Sequence, residues 1–351
     1  MNSQNYLPLA LGLVMFSFLL NSAIIVPFIN LLYRMHLTRR KEASKGGTTS
    51  LFDKLHDVKA GTPIGGGILI IASVTVLFFI IFFFASFMGV LIKSAHNLQV
   101  ELFVIFFTFL AFGLLGFIDD YAKIFGKGRA GALGFAYGLT SKKKFMMQWV
   151  LALFIGFILY ANLGIDFIHV PFLATNINLG PIYVPFAAFL IVTFSNAYNL
   201  TDGLDGLAGG LLMIFLMAFG LIAATQLGIL LWIFIALWIG AIMAFLYFNV
   251  YPARIFLGDA GALSFGATIA VIGLLTGAVF ALVVIGGIFI VEVISSFVQI
   301  LGYKVLHRKL LPMAPIHHAF QAIGWEEPKI VMRAWLAGIM LAIFGLWLAT
   351  I

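Results

Sequence analysis

Five aspartates carry most of the chemistry this sequence could do. Asp119 and Asp120 are adjacent, Asp202 and Asp205 stand three residues apart, and Asp259 lies in Leu257-Gly-Asp-Ala-Gly261. Neighbouring carboxylates repel one another unless a cation or a substrate compensates them. Asp119 and Asp120 also close an apolar run, and acids at the C-terminal end of a helix oppose its macrodipole. One acid at a helix end reads as a solvated boundary residue; five of the chain's thirteen acids gathered in three motifs do not. Hard divalent cations take oxygen ligands, and Mg2+ commonly combines one or two carboxylates with substrate phosphates.

The motifs around these acids agree. In Asn196–Gly210, Asn199, Asp202 and Asp205 recur every three residues, which puts them on one face of a helical turn. Gly203, Gly206, Gly209 and Gly210 permit close backbone approach, to a ligand or equally to a neighbouring helix. Phe248–Gly261 runs through a Pro turn to Asp259 at a helix start, where amides suit phosphate and an Asp can hold a metal or simply cap the helix. Pro312–His318 ends in His317 and His318, which a Pro-shaped loop could aim at a phosphate or a sugar. Lys59–Gly67 lacks the spacing of a Walker loop, but its lysine and glycines could cradle phosphate. Lys123 adjoins the acid pair, whereas Lys142 to Lys144 read mainly as orientation signals. Glu292 sits within an apolar span with Gln299 seven residues on; an intramembrane acid is a functional candidate, or else a hydrogen bond inside the bundle. His36, His56, His96 and His307 are given no role, and Asp166 and His169 read as a solvated loop.

The elements that must position these residues are membrane helices. Of 351 residues 63% are hydrophobic and 9% charged, and the mean hydropathy is +1.14. Soluble chains carry about 25% charged residues, so the solvent is lipid. Cysteine is absent, which excludes disulfides and thiolate zinc sites. The basic residues behind the net charge of +7 interrupt apolar segments and form no tract, so nucleic acid is not an expected partner.

Windows of about 20 apolar residues span a bilayer. Ten occur, at roughly 8–33, 64–93, 100–120, 145–162, 183–199, 206–224, 229–249, 262–278, 280–302 and 331–350. With the N-terminus outside, segments 34–63, 121–148, 250–260 and 303–333 face the cytoplasm and hold 19 of the 20 Lys and Arg residues, Lys93 being the exception. The positive-inside rule predicts this asymmetry. The first apolar run has neither the basic n-region nor the cleavage site of a signal peptide and reads as a spanning helix. An external segment at about 162–183 predicts a small hairpin. The expected fold is therefore all-α, one polytopic membrane domain over 1–351 with its site at the cytoplasmic face.

Phe117-Ile-Asp-Asp-Tyr-Ala-Lys123, Asn199-Leu-Thr-Asp-Gly-Leu-Asp-Gly206, Phe256-Leu-Gly-Asp259 and Met313-Ala-Pro-Ile-His-His318 together resemble the signatures of the polyprenyl-phosphate N-acetylhexosamine-1-phosphate transferases. Lys59-Ala-Gly-Thr-Pro63, Asn249-Val-Tyr-Pro252 and Gly324-Trp-Glu-Glu-Pro328 narrow the likeness to the branch that makes lipid I for peptidoglycan. The resemblance runs in order from about residue 59 to 335. It implies transfer from UDP-N-acetylmuramoyl-pentapeptide to undecaprenyl phosphate in a bacterial inner membrane, by an enzyme that is a homodimer. It implies Asp259 as a Mg2+ ligand with Asp119 and Asp120 beside it, Asp202 being a further candidate ligand. Asn199, Asp202, Asp205, Lys59, Lys123 and Asn249 would line the nucleotide-sugar site, Phe256 would stack on uracil, and His317 and His318 would match the family's histidine loop. The lipid would enter sideways near the ninth span. Two stretches depart from the family: His317-His-Ala-Phe-Gln321 lacks the third histidine and the following acid, and Ile64-Gly-Gly-Gly67 replaces Thr-Met-Gly-Gly.

For such a transfer the residues suggest direct displacement. Asp119 or Asp120 would accept a proton from the lipid phosphate, whose oxygen attacks the sugar-bearing phosphorus as UMP leaves; a covalent Asp intermediate is the alternative. A transporter would place ionisable residues near the midplane and often shows inverted repeats. Here the acids gather at one face and no repeat is evident. A relative using UDP-N-acetylglucosamine is the alternative within the enzyme class, favoured by Ala319 and Gln321.

Overall fold

The structure, a computed structural model, describes residues 7–39, 59–88, 94–126, 129–131, 134–136, 138–173, 175–226 and 229–351. Segment 40–58, with His56, and Lys93 lie outside the described residues. Among those described, ten helices are long and apolar enough to cross a membrane. In chain order they are α1 (Leu7–Arg34), α2 (Gly66–Phe87), α3 (Leu98–Phe125), α4 (Ser141–Ala161), α5 (Tyr183–Thr201), α6 (Leu207–Gln226), α7 (Ile229–Asn249), α8 (Gly258–Leu275), α10 (Gly287–Val305) and α12 (Glu327–Ala349), with short α9 (Val279–Ile285) and α11 (Ile316–Ala322) between them. Lipid offers no hydrogen bonds, so each apolar run must satisfy its backbone internally, and the helix does so. Local residues mark the ends: Asn97 Oδ1 accepts the amides of Gln99 and Val100 to cap α3, and Pro328 occupies the first turn of α12.

Two details differ from the sequence expectation. The ninth span, expected as one run over 280–302, is broken at Gly286 into α9 and α10. A Cβ there would lie 2.5 Å from Cε1 of Phe194, so α5 crosses against the break and only glycine lets it approach. The expected outer hairpin is present as β3 (Phe167–Val170) paired with β4 (Thr175–Asn178), but a second antiparallel pair, β1 (Arg129–Gly131) with β2 (Gly134–Ala136), lies in the segment read only as charged loop.

Helix α8 is the axis of the bundle, with nearly every residue from Ala260 to Leu275 buried. Helices of equal apolarity gain little from lipid exclusion, so close approach and interhelical hydrogen bonds must hold them. Both are present. A Cβ on Gly116 of α3 would fall 2.1 Å from the Asp259 carbonyl, one on Gly67 of α2 would fall 2.3 Å from Gly261, and one on Gly266 would fall 2.3 Å from the Phe194 carbonyl of α5. Ser264 Oγ donates to the Phe109 carbonyl at 2.6 Å, Ser195 Oγ to Leu263 at 3.1 Å, and Ser17 Oγ of α1 to Leu237 of α7 at 2.7 Å. The C-terminal ends of α3, α5 and α10 and the N-terminal ends of α4, α8 and α12 consequently share one side of the bundle, where Asp119, Asp120, Asp202 and Asp259 all lie.

Gly116→Ala is expected to lower thermal stability by about 1–3 kcal/mol and to displace Asp259. Gly12→Ala, which meets nothing within 4 Å, should leave the midpoint unchanged; unfolding followed by tryptophan fluorescence in detergent compares the two. In this cysteine-free chain, Asn176→Cys should be labelled by an impermeant maleimide added to intact cells and Lys309→Cys should not; the reverse pattern inverts the orientation.

Candidate active site

Three helix ends meet over a knot of charge. Asp119 Oδ2, near the end of α3, lies 3.1 Å from Lys123 Nζ one turn on and 2.9 Å from Lys144 Nζ in the first turn of α4. Its other oxygen accepts the Leu139 amide at 2.7 Å. Asp259 Oδ2, at the start of α8, takes Lys123 at 2.8 Å and also Lys144. Asp120 Oδ2 accepts the Ala260 amide at 3.0 Å, which seats it against the N-terminus of α8. Asp119 is 2% exposed and Asp120 8%, so these acids do not have bulk water to dilute their mutual repulsion. The two ammonium groups balance only part of the acid charge gathered here.

The loop after α5 adds the next acids. Asp205 is held from every side: Lys59 Nζ at 2.6 Å on one oxygen, the Ala253 amide at 2.9 Å on the other, and its own amide donated to Glu327 Oε1. Lys59 also binds Glu327 at 2.6 Å, closing a triad of α5 loop, pre-α2 turn and α12. Gly206 is fixed in turn, its amide donated to Asn249 Oδ1 at 3.1 Å and its carbonyl accepting the Trp335 indole N–H at 3.2 Å. Asn249 Nδ2 donates to the Ile255 carbonyl, so this carboxamide ties two loops together. Asp202 differs. It makes no ion pair or hydrogen bond through its carboxylate with any described residue, and burial, then the charge of Asp259, push it up to about 8. Asn199 is half-buried just under one turn before it.

Helix α11 brings the histidines over this loop. Both are buried, with ring centroids 4.1 Å apart. His317 Nδ1 pairs with Glu292 of α10 at 2.9 Å, and His318 Nδ1 meets Gln321 Oε1 at 2.7 Å. A Cβ on Gly203 would lie 2.5 Å from His317 Nε2 and 3.4 Å from His318 Nε2, so both rings face the acid loop. Burial, then the neighbouring His317, lower the His318 imidazole to about 4. The histidines thus sit on a short helix and not, as expected, on a loop. The polar face of α10 supports them: Ser295 Oγ accepts the Ile316 amide at 3.0 Å, and Gln299 binds the backbone of Leu310 and Leu311.

The Gly-rich turn before α2 is no phosphate cradle. The amides of Gly65 and Gly66 are given to the Phe256 carbonyl and that of Gly67 to Leu257, because the glycines admit α7 and α8 at close range. Phe256 keeps a partly open ring, with the Arg39 guanidinium 5.8 Å from its centroid. Lys144, Glu327, Trp335 and Arg39 belong to the site although sequence reasoning gave them no place in it. For Glu327 a signal existed in the Gly324–Pro328 motif; for Lys144 the flanking lysines hid which one turns inward. Among the described residues no group of three or more His, Cys, Asp or Glu forms a metal cage by itself.

Comparison with known proteins agrees with this arrangement. Residues 102–277, which run from within α3 to just past the end of α8 and include all five aspartates of the knot and loop, match glycosyl transferase family 4. The phospho-N-acetylmuramoyl-pentapeptide-transferase of Bacillus velezensis is 35% identical over 328 residues, 93% of each chain. Those of Caldanaerobacter subterraneus subsp. tengcongensis and Staphylococcus saprophyticus are 37% and 36% identical, over 82% and 84% of this chain and 84% and 87% of theirs. This chain belongs to glycosyl transferase family 4 and, within it, to the phospho-N-acetylmuramoyl-pentapeptide-transferases.

Proposed function

We propose that the chain transfers phospho-N-acetylmuramoyl-pentapeptide from UDP to undecaprenyl phosphate, giving lipid I and UMP, at the cytoplasmic face of a bacterial inner membrane. The observation that carries the reading is the knot itself: aspartates from α3 and α8 bridged by two lysines beside the unpaired Asp202. Kinship with transferases of that name supplies the donor and the product.

Transfer of a phosphoryl group between two anions asks for positioning and charge neutralisation. Lys123 and Lys144 stand where an entering diphosphate would compete with Asp119 and Asp259 for their protons. Asp119 holds two ammonium groups and an amide, so Asp120 is the better placed of the pair to accept the proton of the lipid phosphate. The oxygen so freed attacks the sugar-bearing phosphorus, the phosphoanhydride bond to UMP breaks, and the proton rests on Asp120. Asn199 and the partly open ring of Phe256 remain available for the nucleoside, while Asp205, Lys59 and Asn249 act by holding the loop.

The donor set fits Mg2+. Asp202, unpaired and near enough to Asp259 for their charges to interact, would give up its proton to a bound cation and with Asp259 supply the one or two acidic ligands this ion takes when phosphates complete its shell. Bound there, Mg2+ would neutralise the diphosphate and stabilise the leaving UMP. The acceptor lipid would arrive along α10, and a homodimer is part of the proposal.

The test uses purified protein in detergent with undecaprenyl phosphate and Mg2+, scoring UMP release from UDP-N-acetylmuramoyl-pentapeptide beside UDP-N-acetylglucosamine. Release from the pentapeptide donor alone is expected, lost on chelation and restored by Mg2+. Asp259→Asn should reduce it by about 10²–10³-fold. Release from the second donor alone would replace the substrate assignment, and release from neither would sink the reading.

A further inference from the structure

Glu292 lies inside a membrane-facing helix, 3% exposed, and its partner His317 is 1% exposed. A carboxylate in that position is costly, and the mechanism above leaves it unused. Its carboxylate Oε2 stands 2.9 Å from His317 Nδ1. A carboxylate at Nδ1 accepts a hydrogen bond from that nitrogen and fixes which way the ring faces. The other nitrogen, Nε2, is buried without a hydrogen-bond partner in the described structure. It is aimed at Gly203, between Asp202 and the triad-held Asp205, at a distance that a single methyl group would close to 2.5 Å. An orphaned polar atom so deeply buried is a group waiting for one.

The surroundings indicate what that partner is. Lys59 and Arg39 both stand near enough to act on the neighbouring ring of His318, so cations are at hand for an anionic group that enters over the loop. The two rings also have different supports: His317 leans on a carboxylate, His318 on the neutral amide of Gln321. Only the first support is an acid side chain. With a carboxylate at Nδ1 and a phosphate oxygen at Nε2, the His317 ring would bridge two anions through its two nitrogens. We propose that Glu292 is a positioning residue which, through His317, presents Nε2 of that ring to a substrate phosphate. The inference rests on the transferase reading and deepens it by naming a device that holds a substrate phosphate over the acid loop.

A double-mutant cycle decides it. Glu292→Leu, Glu292→Gln, His317→Asn and the Glu292→Leu/His317→Asn pair are compared at a temperature where thermal melts show all four folded. Two readouts are taken: kcat/KM for UMP release, and calorimetric affinity for UDP and, separately, for an isoprenyl monophosphate. If Glu292 acts through His317, the losses do not add. Glu292→Leu and His317→Asn should each lower kcat/KM by about 10²-fold, with the pair no worse than His317→Asn alone. Glu292→Gln, which keeps the acceptor without the charge, should recover to within about 10-fold of the parent. One of the two phosphates should bind more weakly in step with these losses, and which one identifies the phosphate that His317 meets. Additive losses, or variants that bind both phosphates and turn over as the parent does, overturn the proposal. A parent chain that releases no UMP counts against the transferase reading; the binding cycle then still tests the pair.

Discussion

Two ammonium groups standing between carboxylates of different helices are the interaction on which the remainder of the site depends. Lys123 reaches back one turn to Asp119 and across to Asp259, and Lys144 repeats both contacts from α4. Lys144 and the acids it meets have little water to fall back on, and removing one partner of a buried pair commonly costs about 3–5 kcal/mol, while the half-exposed Lys123 contributes less. The knot therefore fixes three helix ends at once. It also fixes what can enter, because an incoming group must offer the lysines something at least as anionic as the acids they leave.

The backbone around the knot follows from the same constraint. Acids can gather only if the helices carrying them approach closely, and α8 is admitted by glycine at Gly67, Gly116 and Gly266 on three different neighbours or faces. Several polar side chains buried away from the knot bind backbone: Ser264 to Phe109, Asn249 to two loops, Gln299 to the segment leading into α11. The acid loop is thereby rigid at Asp205 and Gly206 and open at Asp202. Rigid support beside one unpaired carboxylate is what a ligand site needs, since the support keeps the acid in place while leaving its oxygens free.

Much of this was legible in the residues. Hydropathy set the ten spans because lipid permits few alternatives to a helix, and the basic segments between them follow one side of the threading. The acids stood out because carboxylates at membrane-helix ends are expensive without a purpose. What stayed hidden depended on distance in space. Nothing in Lys142-Lys-Lys144 says which lysine turns toward Asp119, 25 residues away. Glu327 reaches Lys59 across 268 residues, and Trp335 reaches Gly206 across 129. The Gly286 break is likewise invisible locally, since an apolar run of that length reads as one helix until Phe194 is packed against it.

The contacts of α12 have a consequence for how the protein is made. Membrane helices enter the bilayer in the order of their synthesis, N-terminal ones first, and α12 is the tenth of the ten spans. Until it arrives, Lys59 and Asp205 have each other but neither has Glu327, and the Gly206 carbonyl lacks the Trp335 indole. The nine earlier spans can thus insert and pack while the acid loop stays unset. Competence is conferred late, so a nascent chain passes through most of its biogenesis without a finished site.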